Sequence, residues 1–352
     1  MDEQNAKPTL EVLKTHFGKS QDGRWAVVAL KSIPLSPCDG RQENGFFSVE
    51  DNLVVVQPAF VGTIKFFLGQ SIVPIVAHIP GEHVLRCLGT GFFISCSGLL
   101  VTAAHVITDP IERQYGSVKE LDGRTWSPGN LTLGVMLPLN PVFQGPGYIF
   151  RAIEWAIFLA ERAEHPLPIS GVNLKLTSDT ALCKVSPLGE GVPHQPLAIV
   201  QPGLVGTGMG AGKTATAIGY AGMRDVELQL GVGSVISGDF FFDLHVSTGV
   251  ILERFPDNGA KRHVPAPGAC FSAALALPAG MSGSPIFDDE GIYVHGVVSK
   301  GWMDASGPAR FGYGSMLAPS FGLPVEPLGN KTLRELHSAE EHGFPKFSGP
   351  GL

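Results

Sequence analysis

Short apolar runs punctuated by Gly, Pro and Ser dominate the chain from residue 54 onward, at 54–56, 60–67, 91–95, 99–102, 131–136, 149–159, 181–185, 215–220 and 294–298. Runs of that length, rich in Val, Ile and Phe and bounded by turn residues, predict β-strands. A long succession of them predicts a barrel or sandwich architecture. Helical spacing shows only near the two ends. Leu10, Leu13 and Phe17 repeat with a helical period before Gly18, and Thr332-Leu333-Arg334-Glu335 reads as a capping box that opens a helix stopping at Gly343. Residues 1–50 are otherwise polar and turn-rich and read as an extension; no internal repeat is visible.

Composition narrows this reading. Hydrophobic residues make up 44% of 352, enough for a sizeable core, and the 45 glycines and 28 prolines are dispersed, as suits many tight turns. The net charge of −7 and the absence of clustered Lys and Arg exclude a nucleic-acid footprint. The five cysteines (Cys38, Cys87, Cys96, Cys183 and Cys270) are odd in number and match no metal-binding spacing, which predicts free thiols in a reducing compartment. The acidic start carries no secretory signal, and Lys65, Pro74 and Pro278 interrupt the longest apolar stretches, so no membrane partner is expected. The expected setting is cytoplasmic, with no metal and no cofactor.

Three segments carry chemistry. In the first, Gly89-Thr90-Gly91 and then Leu99-Leu100-Val101-Thr102-Ala103-Ala104 lead, by a strand, a turn and a second strand, to His105. In the second, Asp179 opens the alternating run Thr180-Ala181-Leu182-Cys183-Lys184-Val185. The third is Gly280-Met281-Ser282-Gly283-Ser284-Pro285, where flanking glycines let the backbone curl so that the amides of Gly280 and Ser282 converge, as an oxyanion hole requires. Singly, each has an ordinary explanation: a packed histidine, a turn aspartate and a Gly/Ser turn. Two other motifs fail on spacing. Gly206 to Thr214 lacks the phosphate-loop glycine, since Thr207 stands there. Ser284 breaks the hydrolase elbow pattern G-x-S-x-G. Phe240-Phe241-Phe242 reads by default as core.

Together, Thr102-Ala103-Ala104-His105, Asp179 to Val185 and Gly280 to Pro285 resemble the motifs of the chymotrypsin/trypsin-like serine peptidases, in that family's order His, Asp, Ser, over residues 56–325. Ala217-Ile218-Gly219-Tyr220 and Gly296 to Gly301 resemble strands of the family's second barrel. The resemblance implies an all-β fold of two packed antiparallel six-stranded Greek-key barrels. Residues 1–55 would form an extension, 56–185 the first barrel with an insert near 109–150, 186–328 the second barrel, and 329–352 a C-terminal helix and tail.

It further implies a serine endopeptidase acting through His105, Asp179 and Ser282 and an acyl-enzyme, on a protein or peptide substrate, with Gly280 and Ser282 as oxyanion hole. The substrate pocket would include Ala276, Ser299, Lys300 and Gly301, and Ala276 in place of an aspartate disfavours cleavage after Arg or Lys. Three departures stand out. His105 and Asp179 lie 74 residues apart, a wide gap. Glu154, within it, also heads an acid-x-Ala strand and is the alternative triad acid. Met281 replaces the aspartate that secreted relatives pair with a freshly cut N-terminus, so control would fall to another device, with room for a regulatory protein partner. The competing reading is a catalytically silent protease-fold binding module.

Overall fold

The computed structural model describes residues 27–30, 47–50, 53–56, 69, 71–79, 82–95, 97–112, 119–120, 126–127, 131–138, 147–162, 174–186, 201–202, 209–230, 236–238, 242–256, 264–288, 293–304 and 307–338. The expected helix at 9–17, the run 60–67, Cys38, Cys96, Phe240, Phe241 and the stop at Gly343 lie outside them.

Six antiparallel strands form the first barrel: β1 (Ile72–His78), β2 (Val84–Phe93), β3 (Leu99–Thr102), β4 (Thr132–Pro138), β5 (Gly147–Arg162) and β6 (Leu174–Val185). They run β6-β3-β2-β1-β4-β5 and close through β5 onto β6. The second barrel comprises β7 (Thr214–Ala221), β8 (Asp243–Phe255), β9 (Cys270–Ala273), β10 (Pro285–Phe287), β11 (Tyr293–Asp304) and β12 (Gly307–Met316). Its order, β12-β9-β8-β7-β10-β11, repeats the first, and β11 on β12 closes it. Closure pairs the strand edges that an open sheet would leave to solvent.

Burial explains why these sequences become strands. β1 is buried along its whole length, as expected of a strand covered on both faces, and Pro74 is accommodated opposite Thr90. Between β2 and β3 the chain turns at Gly98, whose φ of 89° only glycine adopts readily. One apolar cluster belongs to the first barrel (Ile75, Phe93, Leu100, Val135, Cys183) and one to the second (Ala215, Phe271, Ile286, Val298). A third spans both, joining Phe92, Met136 and Phe150 to Tyr220, Leu244 and Val297. Across this seam the Tyr220 hydroxyl donates to the Ile72 carbonyl at 3.1 Å.

Strand β2, the turn at Gly98 and strand β3 lead to His105, and there the chain winds into helix α1 (Ala104–Glu112), with Val106 and Ile107 buried on one side of it. Two expectations are corrected. The range 109–150 is in part barrel wall, since β4 and the start of β5 fall inside it. The range 1–55 is not wholly separate from the sheets: Phe47–Glu50 and Leu53–Val56 form a hairpin that pairs with β8. At the other end the capping box is formed: the Thr332 amide donates to Glu335 at 2.7 Å and the Glu335 amide to the Thr332 hydroxyl at 3.2 Å, ahead of α2 (Leu333–Ser338). Phe242 is core. The turn at Gly212 precedes strand β7, not a helix. Among the described residues no helix is long and apolar enough to cross a membrane.

Candidate active site

The site is built where α1 and β6 of the first barrel meet the turn before β10 and strand β11 of the second. Pairing of β6 with β3 sets Ala181 opposite Thr102, which brings Asp179 beside the first turn of α1. Asp179 is 1% exposed. Its Oδ1 accepts the His105 backbone amide at 3.0 Å, one of the helix donors without an intrahelical partner, and its Oδ2 lies 2.8 Å from His105 Nδ1. The Ser299 hydroxyl of β11 donates to the same Oδ2. Three donors from two barrels thus satisfy a carboxylate that would be costly to bury alone.

The His105 ring is mostly covered. Burial pushes its pKa down, but the hydrogen bond and charge of Asp179, with Asp109 further off, outweigh this and hold it above the ordinary imidazole value; Lys300 opposes them. The carboxylate fixes the ring with Nδ1 as the bonded nitrogen, and among the described residues Nε2 has no hydrogen-bond partner.

The serine turn packs onto this pair. The Thr90 amide donates to the Ser282 carbonyl at 2.8 Å, and the Thr90 hydroxyl donates to the Gly280 carbonyl at 3.0 Å and accepts the Tyr220 amide at 3.0 Å. A Cβ on Gly89 would lie 2.7 Å from both the Ser282 carbonyl and the Val106 side chain, so position 89 touches the serine turn and the residue after the histidine at once. A Cβ on Gly283, where φ is 85°, would lie 2.1 Å from the Thr90 carbonyl. Met281, Gly283 and Ser284 donate their amides to the Pro278, Val298 and Met281 carbonyls. Among the described residues the amides of Gly280 and Ser282 have no acceptor. Ser282 is half-buried, and its hydroxyl makes no hydrogen bond to His105 Nε2 or to another described group.

The remaining sequence candidates are dispersed. Glu154 is exposed on β5, where its charge acts on Arg151 and Lys184, not on His105. Ala276 is buried, its amide donating to the Ser247 hydroxyl at 2.9 Å. The Ser299 hydroxyl is committed to Asp179, while Lys300 and Gly301 are exposed on β11. Sequence reading passed over Thr90 and Gly89 as site-building residues, although the Gly-Thr-Gly run ahead of the histidine strand was their signal. Among the described residues no group of His, Cys, Asp and Glu could hold a metal ion.

Two closed barrels with a buried Asp–His pair and a serine turn at their seam define a class, the double-barrel hydrolase scaffold. Within it, this chain belongs to the trypsin-like peptidase domain family, whose profile matches residues 89–296. No curated protein matches the chain. Among solved structures it is similar to the HtrA-type protease AlgW with a decapeptide, at 14% identity and a TM-score of 0.40 over 74% of this chain and 65% of that one. It is also similar to Rv3671c from M. tuberculosis H37Rv in an inactive form, at 17% identity and a TM-score of 0.37 over 82% and 97%. The chain thus spans somewhat under two thirds of the AlgW structure.

Proposed function

We propose that the protein is a serine endopeptidase in which Ser282 is the nucleophile, His105 the general base and then acid, and Asp179 the residue that orients and charges the imidazole. The observation that carries this reading is the buried Asp179 carboxylate 2.8 Å from His105 Nδ1, with the Ser282 turn hydrogen-bonded onto the same wall through Thr90. Rotation of the Ser282 hydroxyl toward Nε2 completes the relay. His105 then takes its proton as oxygen attacks the substrate carbonyl, Asp179 stabilises the imidazolium, and the uncommitted Gly280 and Ser282 amides receive the oxyanion. The proton passes to the leaving amine, and water repeats the sequence on the acyl-enzyme.

Ser282→Ala is expected to lower turnover about a millionfold and Asp179→Asn about ten thousandfold. A fluorophosphonate probe gives the direct reading: covalent labelling that disappears in Ser282→Ala supports the enzyme. The unformed Ser282–His105 hydrogen bond favours one other reading, a binding module that no longer cuts, and a folded wild type that takes up no probe would establish it. Substrates are proteins or peptides, and a regulatory partner remains part of the proposal. We also assign the protein to a reducing compartment such as the cytoplasm, on the free thiols Cys87 and Cys183. A disulfide in protein isolated without reductant would overturn that assignment.

A further inference from the structure

Paired glycines on adjacent strands open a slot beside the nucleophile, and one leucine fills it. Gly301 on β11 and Gly312 on β12 are register partners. β11 is tied to the serine turn by the Gly283 amide on the Val298 carbonyl and the Val298 amide on the Ser284 carbonyl. From Val298 the strand runs past Ser282 through Ser299 and Lys300 to Gly301. On the endopeptidase reading, the side chain of an acyl group on Ser282 would enter between this strand and the segment leading to Ser282.

That space is occupied. A Cβ on Gly301 would lie 2.0 Å from the Leu277 carbonyl oxygen and 3.0 Å from Leu277 Cβ. A Cβ on Gly312 would lie 2.3 Å from Leu277 Cδ1 and 3.2 Å from its Cγ. Leu277 is 4% exposed and packs in the apolar cluster of the second barrel with Phe271, Leu275 and Val298. Neither glycine can take a side chain while Leu277 keeps its place.

Resting on the endopeptidase reading, we infer that Leu277 sets the depth of the primary specificity pocket and restricts cleavage to peptide bonds that follow small side chains, Gly, Ala or Ser. Lys300 and Gly301, exposed at the rim, contact substrate backbone rather than select its side chain. Each methylene accommodated or refused by an apolar pocket changes specificity by about 10–200-fold. The discrimination therefore falls on the first carbons beyond Cβ.

The test uses aryl α-aminoalkyl phosphonates carrying Ala, Leu or Phe side chains, which bond to an activated serine and read pocket fit without turnover. On the full chain, the Ala reagent is expected to inactivate at least tenfold faster than the Leu or Phe reagent. Leu277→Ala should reverse that ratio by tenfold or more. Leu277→Val, a smaller loss in a packed core, should move it partway and keeps the test valid if Leu277→Ala unfolds, which a thermal melt shows. Faster inactivation by the Phe or Leu reagent in the wild type, or a ratio that neither variant moves, overturns the inference while leaving the serine reactive. Failure of fluorophosphonate to label Ser282 instead removes the endopeptidase reading, and with it the inference.

Discussion

At the scale of single residues, the reactivity of the site turns on His105. A pKa held above the ordinary imidazole value keeps the ring protonated, and unable to act as base, to a higher pH than a free histidine. The acid limb of kcat/KM is therefore expected above the ordinary value, with activity lost as pH falls through it. Two neighbours tune that limb in opposite directions. Lys300→Met removes a positive charge that lowers the His105 pKa and should move the limb upward; Asp109→Asn removes a negative charge that raises it and should move the limb downward. A pH–rate profile in which both variants shift the same way would contradict the electrostatic account. The same shift has a stability side. The Asp179–His105 pair contributes stability that is full below the unfolded imidazole pKa and fades as pH rises through the raised folded one. His105 and Ser282 were legible as residues because their motifs are local. Sequence reading prefers Asp179 to Glu154 only on the longer motif match and the usual acid, and both acids lie inside strands rather than at their starts. What separates them is the ladder: β6 pairs with the strand that leads to His105, whereas Glu154 sits one strand further round, facing solvent.

At the scale of elements, β2 does more than its sequence announces. Thr90 joins the serine turn, β3 and β7: its carbonyl accepts the Thr102 hydroxyl at 2.7 Å, in addition to the bonds made by its amide and hydroxyl. Thr90→Val keeps the shape and removes the hydroxyl, leaving the Tyr220 amide and the Gly280 carbonyl without it. The expected cost is about 1–3 kcal/mol for each buried group left unsatisfied, read as a lower Tm, with kcat falling more than KM rises because Gly280 is no longer held. A variant with wild-type Tm and kcat would show that β2 does not position the turn. Strand reading from sequence succeeded where short β-type runs were bounded by turn residues, as at Leu99–Thr102 and Ala215 to Tyr220, and failed where breakers intervened. Pro74 lies inside β1, and Gly312 and Gly314 inside β12, residues that argue against a strand unless packing requires them. Gly314 has such a reason, with Phe271 and Ile286 packed over its bare Cα.

At the scale of the whole molecule, the two barrels share an apolar cluster as well as a site. Ile72, Phe92 and Phe150 from the first lie in one cluster with Tyr220, Phe242 and Val297 from the second, and Tyr148 and Tyr220 meet Phe242 edge-on. Trp155 packs against the same cluster. The barrels are therefore expected to unfold together: urea transitions followed by tryptophan fluorescence and by far-UV circular dichroism should coincide, while two separated transitions would show independent halves. The resemblance of motifs pointed to this double-barrel plan, but the sequence carries no mark of the tie between Ser299 and Asp179, which depends on strands far apart in the chain.

That tie bears on how such a chain is made. Synthesis delivers His105 and Asp179 early and Ser282 late, and the strand bearing Ser299 leaves the ribosome later still. On the proposed reading, a growing chain therefore lacks the assembled Asp179–His105–Ser282 site until its final strands dock.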